Sequence, residues 1–160
     1  MKTFLKYSGV CAAVFAIVAF IMLLACNAIT YEGLLGTTNV GGTVVLFGGK
    51  IGGATFKLAP LALIAFILII VALVIIIAGI VLPLAKVTAL DKFSGILNLI
   101  AVAALIVAGI FVFISANNFA SVNNISSGNL TPGYVFTGIF AIVAGVLAVL
   151  PAVANLISKK

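Results

Sequence analysis

Residues 58–85 form an unbroken apolar run without one charged or polar side chain. As a helix rising ~1.5 Å per residue, the run is ~42 Å long, against a bilayer hydrocarbon core of ~30 Å. A water-soluble domain has no use for a helix that is apolar on every face over that distance. The run predicts a membrane span. Its neighbours repeat the pattern, with further spans expected at residues 7–28, 93–116 and 133–157 and loops at 29–57 and 117–132.

Charged residues make up 6% of the chain, against ~25% in soluble domains. With 160 residues there is room for one compact bundle and little else. The expected fold is therefore an all-α membrane protein in one domain, residues 1–160, built as a left-handed bundle of four transmembrane helices. The first span has an alternative reading as a signal peptide, since Lys2 and Lys6 precede an apolar stretch. Leu23-Leu24-Ala25-Cys26 also resembles a bacterial lipobox, in which the cysteine would be lipidated. An uncleaved span is the reading adopted, because the apolar run is long enough to cross.

The first loop carries half of the 16 glycines. Thr43 precedes Val44, Val45, Leu46 and Phe47, a β-branched and aromatic run; Ala54, Thr55 and Phe56 form a second. Two such runs around the glycine-rich stretch 48–53 predict a β-hairpin, with glycines supplying the positive φ of its turn. The fold should thus include a small extracellular hairpin or sheet. Pro60 suits the first turn of the second span, and Asp91 can cap the third.

Lysine placement sets the orientation. Lys2, Lys6, Lys86, Lys92, Lys159 and Lys160 fall on one side, Lys50 and Lys57 on the other. That bias puts both termini in the cytoplasm and both larger loops outside. The expected location is the plasma membrane. The net charge of +6 is spread over span ends rather than gathered on one face. Anionic lipid headgroups on the cytoplasmic side are therefore the expected partners, not nucleic acid.

Between helices in lipid, close contact depends on small residues. Gly138, Ala141, Gly145, Ala148 and Ala152 recur at spacings of 3 and 4 in the fourth span. Gly9, Ala12, Ala16 and Ala19 do the same in the first, and Ser94, Asn98, Ala101 and Ala108 share a stripe in the third. These stripes should face the bundle interior at a crossing near ~20°, with the Ile-rich faces of the second span toward lipid.

The chain lacks the residues that most chemistry requires. It has no His, and its two acids, Glu32 and Asp91, are expected on opposite sides of the bilayer. No carboxylate pair, imidazole base or four-ligand metal site can be assembled. Cys11 and Cys26, 15 residues apart on one helix, would be separated by ~22 Å and cannot bridge. A P-loop ending in Gly49-Lys50 would need Gly at 44 and Ser or Thr at 51, where Val44 and Ile51 stand. No catalytic residue, cofactor or metal is expected. No span carries an ionisable group, which disfavours ion coupling. Asn98, Thr137 and Asn155 read as helix-to-helix hydrogen bonds or interface residues. Tyr7, Tyr31 and Tyr134 suit an aromatic belt, Glu32 could pair with Lys50 or Lys57, and Asn124-Ile125-Ser126 and Asn129-Leu130-Thr131 match the glycosylation pattern.

The layout of four spans, a longer β-containing first loop with Gly33-Leu34-Leu35, and a short second loop resembles the claudin-like tetraspan proteins. The tryptophan and the loop cysteines of that family's first loop are absent. The resemblance implies a left-handed four-helix bundle with a small extracellular sheet and lateral self-association. The function expected is that of a non-enzymatic structural or interaction protein, a homo-oligomer or part of a larger membrane complex. Val44, Val45, Leu46, Phe47, Ala54, Thr55 and Phe56 are the candidate contact residues. Two alternatives are a channel or transporter accessory subunit and an immunity-type membrane protein that binds an extracellular toxin or peptide.

Overall fold

The computed structural model describes residues 2–33, 36–84, 94–125 and 128–157. In chain order the elements are α1 (Lys2–Ala25), β1 (Asn27–Gly33), β2 (Gly36–Gly41), α2 (Gly42–Phe47), β3 (Gly49–Ile51), β4 (Ala54–Phe56), α3 (Pro60–Leu84), α4 (Ser94–Asn123), β5 (Asn129–Leu130) and α5 (Pro132–Ile157). Among the described residues, α1, α3, α4 and α5 hold stretches long and apolar enough to cross a membrane. That architecture fits a multi-pass membrane protein. The turn expected at residues 86–92, its Asp91 cap, Leu34-Leu35 and Ser126 lie outside the described residues.

The long helices surround an interior of small side chains. Helix α4 packs extensively on both α3 and α5, and α5 packs on α1, whereas α1 and α3 close the ring along a slimmer seam. Ala12, Ala16 and Ala19 of α1, Ala62, Ala65 and Ala72 of α3, Ala101 and Ala108 of α4, and Ala141 and Ala152 of α5 are all fully buried. Between α4 and α5, glycines receive large side chains from the facing helix. A methyl group at Gly138 would lie 2.9 Å from the Phe113 ring, one at Gly109 2.6 Å from Ile142, and one at Gly145 2.9 Å from Ile106. Interfaces this close are how helices associate in lipid, where burial of apolar surface offers little gain.

At one end the strands and α2 form a cap. Sheet order is β2-β1-β5 in the larger sheet and β3-β4 in the smaller. Strands β1 and β2 are antiparallel, with Tyr31 opposite Thr38 and Gly33 opposite Gly36. A β-bulge at Ala28 interrupts their register between Asn27 and Ile29. The Ala28 carbonyl instead accepts the Thr131 N–H at 3.0 Å, just beyond β5, which pairs Ile29 with Leu130. The smaller sheet is a hairpin turning at Gly52 and Gly53, with φ of +56° and +86°. Two successive positive φ values are those of a tight hairpin turn of right-handed twist, and glycine adopts them without strain.

The structure departs from the sequence expectation in four places. Residues 44–47 belong to the short helix α2, not to a strand. Val45 and Leu46 are both fully buried. Successive strand residues point to opposite faces, so a strand could bury only one of them; a helical turn seats both. The Gly48 N–H closes the helix on Val44 O at 2.8 Å, and Gly48 leaves it at φ +77°. The first strand of the hairpin is instead Gly49–Ile51. Secondly, α1 ends at Ala25, and the tail of the expected first span enters β1. Thirdly, α4 runs through Asn123, absorbing much of the expected second loop, and the rest of that loop contributes β5 to a sheet shared with the first. Fourthly, two tyrosines assigned to an aromatic belt lie inside the protein's own packing. Tyr134 is fully buried with its hydroxyl donating to Leu23 O at 3.3 Å, and the Tyr31 ring lies 5.8 Å from that of Phe56.

Candidate interaction surface

The cap is held on the helices by backbone groups that the helix ends leave free. Four carbonyls at the end of any helix lack intrahelical partners. At the end of α1, Leu23 O accepts from the Tyr134 hydroxyl and Cys26 O from the Gly42 N–H at 2.9 Å. Gly42 sits so tightly there that a Cβ would lie 2.1 Å from Leu23 O. At the start of α3, the Ala59 N–H donates to Val45 O at 2.8 Å, and the Leu61 N–H to Asn118 Oδ1 at 3.1 Å. Asn118 thus performs from α4 the capping that Ala59, lacking a side-chain acceptor, cannot.

One turn further along α4, Asn123 grips the backbone of Lys57 from both sides. Its Oδ1 accepts the Lys57 N–H at 2.7 Å and its Nδ2 donates to Lys57 O at 3.0 Å. Phe119 lies between the two asparagines and stacks on Phe56 with ring centroids 5.7 Å apart. Tyr31, Phe56 and Phe119 form a continuous aromatic column from β1 through β4 into α4. At α5, Thr131 donates through its hydroxyl to Asn27 O, while its own carbonyl accepts the first-turn N–H groups of Tyr134 and Val135. Pro132 follows, where a missing N–H costs nothing.

The candidate contact residues are therefore in unlike situations. Val45, Leu46 and Phe56 are buried, Val44 is half-buried, and Phe47, Ala54 and Thr55 are exposed. The larger sheet has two edge strands, β2 and the two-residue β5; β2 is the longer, and no other described strand pairs on its far side. Thr37 and Asn39 are exposed there, and β2 carries no charge and no proline. Glu32 is exposed opposite Thr37; Lys50 and Lys57 are exposed elsewhere in the cap, and among the described residues Glu32 forms no ion pair with either lysine.

In the helices, Gly138, Ala141, Gly145, Ala148 and Ala152 are buried. Among the described residues, the exposed large side chains of α3 are Ile64, Ile67, Val71, Val74, Ile77 and Val81 along its outward face. Asn98 lies against Gly79 of α3, its Oδ1 being 3.4 Å from where a Cβ would stand. Thr137 bonds Gly133 O of its own helix at 2.8 Å rather than a neighbour. A polar contact that crosses helices away from the cap is that of Ser8, whose hydroxyl donates to Leu147 O at 2.6 Å. Leu147 is four residues ahead of Pro151, the proline inside α5. Proline has no N–H to give that carbonyl, so Ser8 supplies the donor from α1. Proline four residues after a carbonyl facing a serine-bearing helix is the signal that could have marked this pair.

Among the described residues, no group of three or more His, Cys, Asp or Glu could hold a metal ion. Cys11 and Cys26 are free thiols. No protein-family model matches the sequence, and none of the curated proteins compared with it does.

Proposed function

We propose that this chain is a non-enzymatic membrane protein with a structural or interaction role, and that copies assemble side by side through the cap. Both termini lie in the cytoplasm and the cap outside, by the lysine bias. The claudin-like resemblance belongs to the same proposal.

The observation that supports it is the unpaired side of β2. A strand edge offers a row of N–H and C=O groups, and proteins that must stay single blunt such edges with charge, proline, bulges or cover. Strand β2 has neither charge nor proline, and its sheet packs on α4 through β5 and on α5 through β1. A second copy can continue the sheet antiparallel to β2, with main-chain bonds giving affinity. The contact moves accordingly from residues 44–47, whose backbone is helical, to Thr37 and Asn39.

Native mass measurement of the protein released in mild detergent tests this. Wild type is expected as dimers or larger species, and the Thr37→Lys, Asn39→Lys double variant as monomers, because opposed lysines would repel across the joint. A wild-type protein that is monomeric at every concentration, in detergent and in nanodiscs, overturns the proposal.

A further inference from the structure

Helix α2 buries two consecutive side chains and sends the next one out. Val45 and Leu46 are fully buried, whereas Phe47 is 56% exposed. A phenylalanine presented to water beside a well-filled core would be an odd use of the most apolar end of the cap. Its depth gives a different account. The Phe47 ring stands edge-on to Phe66 with centroids 5.7 Å apart, and Phe66 stacks on Phe20 at 5.5 Å. Phe66 lies six residues into α3 and Phe20 five residues before the end of α1, so each is ~7–9 Å inside its helix along the axis. The rings of α1, α2 and α3 thus meet at the narrow seam between α1 and α3, at a level where α3 is apolar all round and exposes Ile64 and Ile67.

Charge is arranged to match. Helix α2 itself has no charged residue. Lys50 follows it in β3, and Lys57 stands three residues ahead of Pro60; both are exposed. Gly49 packs on the Val44 side chain, 3.3 Å from its would-be Cβ, which keeps the hairpin carrying Lys50 against α2. Lysine side chains can run along apolar surface and leave the ammonium among phosphates.

We propose that α2 is an immersed anchor: acyl chains of the cap-side leaflet cover Phe47 where α1 and α3 meet, while Lys50 and Lys57 stand at the level of the phospholipid phosphates. The cap is then clamped to the bilayer surface rather than standing clear of it. This goes beyond self-association, which uses β2, and holds or fails separately from it.

The chain contains no tryptophan, so Phe47→Trp installs a single indole at the site. In phosphatidylcholine vesicles its emission should be blue-shifted. It should lose most of its intensity when the acyl chains are brominated near the headgroup, as should Phe136→Trp on the outward face of α5. Aqueous iodide should leave it nearly unchanged while quenching Thr37→Trp. Iodide quenching without bromolipid quenching overturns the proposal by placing the ring in water. Bromolipid quenching that vanishes as protein is concentrated in the vesicles also overturns it, by giving the site to a second copy. Wild type provides a check that needs no substitution. In vesicles containing a lipid with an acyl-chain diazirine, peptides covering residues 42–47 should be labelled; label confined to α1, α3, α4 and α5 counts against immersion.

Discussion

The hydroxyl of Ser8 replaces a proton that Pro151 cannot give. A carbonyl left without a donor in a membrane interior is costly, and side-chain hydrogen bonds between helices in lipid are worth ~0.6 kcal/mol on average and at most ~1.7. Ser8→Ala should therefore lower stability by about 1 kcal/mol, read as the thermal midpoint in detergent. The same change in a Pro151→Ala background should cost close to nothing, because the restored N–H of residue 151 satisfies Leu147 O from within α5. Equal losses in the two backgrounds would show that Ser8 acts through packing instead. Gly42 and Gly52 offer a second contrast. A methyl at Gly42 meets the Leu23 carbonyl oxygen at 2.1 Å, backbone that cannot turn aside. Gly42→Ala should cost about 3 kcal/mol through overpacking at the α1–α2 junction. Gly52 has φ +56° and open space around it, so Gly52→Ala should cost only about 1 kcal/mol for the left-handed conformation.

Helix α4 decides how the cap is carried. Its 30 residues extend ~45 Å, well beyond a ~30 Å hydrocarbon core. The excess is the pillar bearing Asn118, Phe119 and Asn123. Asn123→Ala removes both bonds to Lys57 and should raise hydrogen exchange at the Lys57 amide about tenfold, equivalent to about 1.4 kcal/mol. Exchange in the middle of α4 should not change. The apolar runs made the long helices legible in the sequence, because only a helix satisfies all of a single segment's backbone groups within that segment in lipid. The pillar was not legible from composition: Asn117, Asn118, Ser121 and Asn123 read as loop. Its periodicity did carry a trace, since Val112, Ala116, Phe119 and Ala120 are the buried positions of one continuing helical face. Residues 43–47 misled for the opposite reason. Their β-branched side chains favour strands, but burial of both Val45 and Leu46 outweighs that preference over so short a segment. The hairpin was half legible: Gly52 and Gly53 make the turn as expected from their type, while the partner strand lies closer to it than the hydrophobic run suggested.

For the whole molecule, the seven residues of β1 hold the two loops in one body, taking β2 from one side and β5 from the other. A cap tied to the ends of all four long helices is a rigid platform, and a rigid edge can join a neighbour without first being ordered, which keeps the entropic cost of association low. Covering β2 should therefore be sensitive to charge and insensitive to chain length at the cap. Thr37→Lys with Asn39→Lys should shift sedimentation velocity profiles in detergent toward the single particle and leave the unfolding midpoint within about 0.5 kcal/mol of wild type, as befits exposed positions. A large loss of stability would assign β2 to the fold rather than to assembly.

Because β5 comes from residues 129–130 and β1 from 27–33, the last strand of the larger sheet leaves the ribosome some hundred residues after the first. Protein segments tend to fold in order of synthesis, and this sheet cannot. Until translation has passed Leu130, β1 is open along the side that β5 will fill. A nascent protein halted before Asn129 would present on that side the long β1 as an edge where the finished one presents only the two-residue β5. Biogenesis of this molecule is then a race between its own β5 and any chaperone, or sister chain, that reaches β1 first.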